Sequence, residues 1–226
     1  MRTVITANFA AEMIIPALLC IWFLGRCLLH RVYGFLDEAD IPARTSRQGK
    51  YVPAALWIFT LFCLLAILSP SPMPDKIIAI LFLAFLLQAG VTDAVSGYLP
   101  LTFTGRFLVA GLLAGTSLPL TPELLLSRAA GITMTGILMM AINKMVNRNE
   151  EKFGRGDMWL IAAFSAWEGF QNATIIAAGG LMAFVCWHLS LNSPGKKEGP
   201  IGPWLCASGG IYLLDKLYNP VWINIS

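Results

Sequence analysis

IIAILFLAFLLQAGVTDAVSGYLP, Ile77 to Pro100, is the stretch on which the fold is decided. Its first sixteen residues, Ile77–Thr92, carry no charge, and the next residue is Asp93. An apolar run of that length without period-2 alternation is a membrane helix rather than a strand. A carboxylate at the edge of hydrocarbon is costly, so it is kept for a task or hidden by a partner. The junction recurs in reverse order at FGRGD, Phe153–Asp157, which opens the apolar run Met158–Phe170. Two carboxylates on one membrane face can share a water and cleave a peptide bond. The reading therefore turns on whether Asp93 and Asp157 share a face.

Outward from that stretch the chain keeps the same character. Of its 226 residues 57% are hydrophobic and 13% charged, against about a quarter charged in an average soluble domain. Mean hydropathy is +0.68. The predicted class is an all-α, polytopic integral membrane protein with eight spans: Ala7–Leu29, Val52–Ser69, Ile77–Thr92, Leu101–Leu118, Glu123–Ile142, Met158–Phe170, Thr174–Leu191 and Pro203–Leu217. Glu168, Gly169, Gln171 and Asn172 form the polar turn that divides the sixth from the seventh. The first block is too long for the apolar core of a signal peptide, contains Glu12 and lacks a small-x-small cleavage site, so it reads as a retained helix. A net charge of +3 without a basic stripe argues against nucleic acid as a partner. The five cysteines (Cys20, Cys27, Cys63, Cys186, Cys206) make no CxxC pair and read as small apolar fillers; neither a metal nor a cofactor is expected.

Charge fixes the sides. Arg31, Arg44, Arg47 and Lys50 follow span one, Lys144, Arg148, Lys152 and Arg155 follow span five, and Lys196 and Lys197 follow span seven. The opposite side carries Arg2, Lys76, Arg128 and Lys216. Positive residues favour the cytoplasm, so odd-numbered spans exit inward and both termini face outward. Asp93 closes span three and Asp157 opens span six, which places both at the cytoplasmic border. One miscounted span between them would separate them.

Asp93 is followed seven residues later by Pro100, and Asp157 ends a GlyXaaGlyAsp motif made by Gly154 and Gly156, with Leu160, Ala162 and Ala163 on the helix beyond. A third segment, GPIGPWLCASG (Gly199–Gly209), brings Pro200, Gly202 and Pro203 to the start of the last span. Together they resemble the type IV prepilin peptidases, membrane aspartic proteases that remove the short basic leader of prepilins. The resemblance covers about Ile77–Gly210. It implies a multi-pass protein of the bacterial inner membrane, with Asp93 and Asp157 catalytic at the cytoplasmic face and a prepilin or pseudopilin with a basic leader as substrate in the bilayer. Residues 1–76 then form an N-terminal membrane region with a cytoplasmic loop, and 77–226 the peptidase membrane domain, as one continuous membrane unit. Leu101, Trp159 and Ser165 depart from the family's usual Asn, Lys and Gly. Members with a second, methylating activity carry two CxxC pairs in a long first loop, and the segment Val32–Lys50 has no cysteine. This implies cleavage without methylation.

Each residue also has a plainer reading. Asp157 could cap helix six, with Gly154 and Gly156 serving a turn, a φ > 0 backbone or close approach to a substrate. Asp93 has no such excuse, because an acid at a helix C-terminus is opposed by the dipole. By the same argument the resting pair is expected to hold its charge on Asp157 and its proton on Asp93. Pro100 suits the start of a helix. Asp215 beside Lys216 reads as a snorkelling pair. Glu150 and Glu151, or else Asp37, Glu38 and Asp40, are candidates to attract a basic leader, against the plainer role of a solvated, self-balanced loop. Two other functions stay open: a small cation- or proton-coupled transporter using the membrane acids, and a serine-type intramembrane protease using Ser208 and His188.

Overall fold

The computed structural model describes residues 11–39, 51–114, 122–146, 154–190 and 199–222. After a single 3-10 turn, Ala11–Met13, these form eight α-helices and no strand: α1 Ile14–Glu38, α2 Tyr51–Leu68, α3 Met73–Ser96, α4 Leu101–Ala114, α5 Pro122–Val146, α6 Arg155–Glu168, α7 Phe170–Ser190 and α8 Gly202–Trp222. Five of them, α1, α2, α3, α5 and α7, are long and apolar enough to cross a membrane. The eight expected spans correspond one to one with the helices, but several ends differ. α1 continues past Leu29 to Glu38. α3 runs through Asp93 to Ser96, where Gly97 at φ 65 closes it by donating its N–H to Asp93 O at 2.7 Å. Asp93 thus lies in the last turn rather than after it. The polar turn between α6 and α7 narrows to Gly169 alone, at φ 82, and Gln171 and Asn172 join the first turn of α7.

α3 is the most enclosed of the five long helices and packs against α1, α2, α4 and α8, while α6 packs against α4, α5, α7 and α8. The helices that carry the two aspartates are therefore joined on one side by α4 and on the other by α8. Inside, Phe82 of α3, Phe107 of α4 and Phe164 and Trp167 of α6 meet with ring centroids 5.2 to 6.0 Å apart. Trp167 Nε1 donates to Phe107 O at 2.8 Å, so the indole is anchored at its polar end. A Cβ on Gly111 would lie 2.4 Å from the Trp167 ring, which the other rings and this bond hold in place. Gly111→Ala is expected to lower stability by about 1–3 kcal/mol through overpacking, read as a fall in thermal midpoint in detergent. An unchanged midpoint would mean that the ring yields freely.

Three of the described cations at the far end from Asp93 have partners within the protein. Lys76 Nζ donates to Ile67 O at 2.8 Å, closing α2. Arg128 Nη1 donates to Gly111 O at 3.1 Å and Ala166 O at 3.2 Å, near the ends of α4 and α6. Lys216 Nζ is 2.6 Å from Glu168 Oε2, which corrects the expected pairing with Asp215. Adjacent residues on a helix point apart, whereas Glu168 ends α6, the neighbour of α8.

Candidate active site

Four helix ends converge around the aspartates. The last turn of α3 presents Asp93, which is buried, and the loop Gly97–Pro100 follows it. Ser96 ties that loop by accepting the Tyr98 N–H at 3.1 Å and donating to Tyr98 O at 2.8 Å. Pro100 is buried and ends the loop; its carbonyl accepts the N–H groups of Phe103 at 3.1 Å and Thr104 at 3.3 Å, opening α4 as a helix-start proline should.

α6 starts against this loop. Gly154 is its N-cap, in extended conformation at φ −72, and no side chain caps it. Asp157, third in the helix, is therefore not a cap, and its Oδ1 is buried without a hydrogen-bond partner among the described residues. A Cβ on Gly156 would lie 2.5 Å from Leu99 O and 2.7 Å from Leu99 Cβ. The second glycine of the motif is thus needed for close approach, but to the chain's own α3–α4 loop and without positive φ.

α8 completes the arrangement. Ile201 O accepts the N–H groups of Trp204 at 3.0 Å and Leu205 at 3.2 Å, so Gly202 and Pro203 form the first positions of the helix. Pro203 is tolerated there because its missing N–H would be unpaired in any case. Pro200, partly buried, precedes the turn. The free N–H of Gly202 points at Asp93 and donates to its Oδ2 at 2.8 Å. A Cβ on Gly202 would stand 2.6 Å from that oxygen. One turn on lies Cys206, which is buried. As the sequence suggested, Cys206 is a small core filler, packed close against Gly90 of α3.

The expected site residues thus divide. Asp93, Asp157, Pro100, Gly156, Gly202 and Pro203 gather at one end of the bundle, with Gly154 and Pro200 at its edge. Glu150 and Glu151 lie outside the described residues, as does Asp40. Ser208 and His188 are apart: Ser208 Oγ donates to Ile176 O at 2.8 Å, and His188 stacks on Phe184. Twelve residues of α7 separate the level of Ile176 from His188, about 18 Å along a helix. The described residues contain no cluster of three His, Cys, Asp or Glu suited to a metal.

The sequence model of the type IV leader peptidase family matches residues 80–189, a segment containing both aspartates. Over that segment the chain is similar to the type IV leader peptidase family. Among curated relatives of this leader peptidase segment, the prepilin leader peptidase/N-methyltransferase of Pectobacterium carotovorum subsp. carotovorum is 33% identical over 141 residues, covering 59% of this chain and 49% of the relative. The protein of the same name from Dickeya chrysanthemi is 31% identical over 143 residues, covering 60% and 50%. The chain thus matches about half the length of these curated relatives. No solved structure matches. α8, which supplies the Gly202 N–H, lies beyond the matched leader peptidase segment.

Proposed function

We propose that this chain is a membrane aspartic endopeptidase that removes the short basic leader of a type IV prepilin-like protein at the cytoplasmic face of the bacterial inner membrane. The observation that carries the reading is the meeting of Asp93 and Asp157 at one end of the bundle, where the loop after Asp93 packs on Gly156, the residue before Asp157, and the start of α8 packs on Asp93. Peptide hydrolysis needs a base to deprotonate water and an acid to polarise the carbonyl. Two carboxyls this close cannot both ionise cheaply, so one proton is shared and the pair holds both roles. The family match favours hydrolysis over transport. Support for the cytoplasmic face comes from the Lys and Arg residues that follow spans one, five and seven in the sequence. The direct test is coexpression with candidate prepilins, scored by the size shift of leader loss. Intact precursor across a panel of prepilins would refute the reading.

The positions of charge and proton revise the expectation from helix dipoles. Asp93 ends α3, but the N-terminus of α8 faces it and Gly202 N–H donates to its Oδ2. A backbone donor at a helix N-terminus favours the anion. Asp157 has a buried Oδ1 with no such donor. The dominant resting microstate is therefore an ionised Asp93 as base and a protonated Asp157 as acid, for a pair that titrates as a unit. In infrared difference spectra the protonated carboxyl band is expected to persist in Asp93→Asn and to vanish in Asp157→Asn. The reverse pattern would return the charge to Asp157.

The relatives' names include a second activity. We extend only the first to this chain, because the segment Val32–Lys50 lacks the cysteines that accompany methylation in the resemblance. A mature pilin produced with this protein alone is expected to carry an unmodified first residue by mass spectrometry. One added methyl group that depends on this chain would overturn that expectation.

A further inference from the structure

α5 contributes nothing to the aspartate pair, yet it grips α6 along a single seam. Arg128, Gly131 and Thr135 stand at i, i+3 and i+7 and so share one face of α5. Gly131 lies against Phe170 at the α6–α7 joint. Arg128 Nη1 reaches Ala166 O on α6 at 3.2 Å and Gly111 O on α4 at 3.1 Å, a cation at the negative ends of two helices. Thr135 Oγ1 and Ser165 Oγ are 2.5 Å apart, and both residues are fully buried. Thr135 Oγ1 also reaches Gly131 O at 2.8 Å, and either hydroxyl can be the donor across the seam.

This buried contact between the Ser165 and Thr135 hydroxyls, itself tied to Gly131 O, fixes the rotation of α6 about its axis. Ser165 stands eight residues beyond Asp157 on a helix of 14 residues, about 12 Å away along the axis. So short a helix turns as one body, and a turn at Ser165 swings the Asp157 carboxyl with it. We infer that Thr135, together with Arg128, is a positioning residue for the reaction: α5 sets the direction in which Asp157 faces Asp93. The inference rests on the peptidase reading above. It also explains how a serine is accommodated where the resembled family has glycine, since the hydroxyl is used rather than merely tolerated.

The test compares Thr135→Val, which keeps the shape and removes the hydroxyl, with Thr135→Ser, which restores it. Met134→Leu on the exposed face of the same helix serves as control. With purified enzyme and a prepilin, Thr135→Val is expected to lower kcat roughly tenfold to a hundredfold while KM stays within about twofold. Thr135→Ser should recover most of kcat, and Met134→Leu should match the wild type. The infrared carboxyl band of the pair should shift in Thr135→Val alone. A Thr135→Val enzyme with lower yield or thermal midpoint but unchanged kcat and band would make the seam purely structural and overturn the inference. If the wild type cleaves no prepilin, the peptidase reading fails by itself. The band then decides the inference: a shift in Thr135→Val supports it, and an unchanged band overturns it.

Discussion

Asp93→Asn and Asp157→Asn are each expected to bring leader cleavage to background while the protein still inserts and purifies in normal amount. Loss of a general acid or base commonly costs about 10²–10⁴-fold, and here each carboxyl serves both roles through one shared proton. A single substitution leaves a pair that cannot exchange that proton, so the double variant should be scarcely worse than either single one, as for residues that act as a unit. Asn keeps the shape of Asp, and at Asp93 its amide oxygen can still accept the Gly202 N–H that now reaches Oδ2 at 2.8 Å. A loss of activity without a loss of protein would therefore report chemistry rather than folding. The measurement is leader removal from a coexpressed prepilin by gel shift, with the enzyme quantified in the same membranes. Substantial processing by either variant would sink the pair as the catalytic centre. It would also reopen the transporter reading, in which neither residue needs to touch a peptide.

That Asp93 and Asp157 lie at one end of the bundle was legible before any contact was known, because it depends on parity. Each apolar block reverses the chain, and the two blocks between the residues, α4 and α5, return it to the same end. What the linear chain hides is the third dimension of the site. Gly202 is 109 residues from Asp93, and nothing in the run GPIGPW states that its first free N–H faces a carboxylate on α3. The dipole argument put the proton on Asp93 from the field of a single helix, and the reversal proposed above rests on a second helix end. Packing supplied an opposing helix end. The GlyXaaGlyAsp motif was similarly ambiguous: a glycine signals that a Cβ is not tolerated, but only the nearby Leu99 carbonyl says why. Lys216 and Glu168 escaped notice for the same reason, because their partnership is set by the packing of α8 on α6 and not by distance along the chain.

Gly202→Ala is the second large effect expected, and its sign is opposite to what secondary structure alone dictates. Alanine is the better helix former by about 1 kcal/mol, and the first turn of α8 has ordinary helical geometry, so on propensity the change should help. The new Cβ would instead lie 2.6 Å from Asp93 Oδ2 and 3.0 Å from Asp93 Cβ and Cγ. Those atoms belong to a short, buried side chain in the last turn of α3, with no flexible end to swing aside. Either the carboxyl rotates away from its N–H donor or α8 retreats from α3, and both outcomes turn Asp93 out of line with Asp157. Misplacing a reacting group by about 1 Å costs roughly 100-fold in rate, and that is the loss of cleavage expected here. Gly156→Ala should do at least as much harm, because its Cβ would meet the Leu99 carbonyl at 2.5 Å, a backbone atom that cannot step aside. Gly105→Ala on α4 is the matched control: nothing lies within 4 Å of a Cβ there, so the same chemical change should leave cleavage intact. Leader removal measured side by side in the three variants decides the matter. Wild-type cleavage by Gly202→Ala would mean that the α8 N-terminus does not hold Asp93, and the assignment of the resting charge to Asp93 would fall with it.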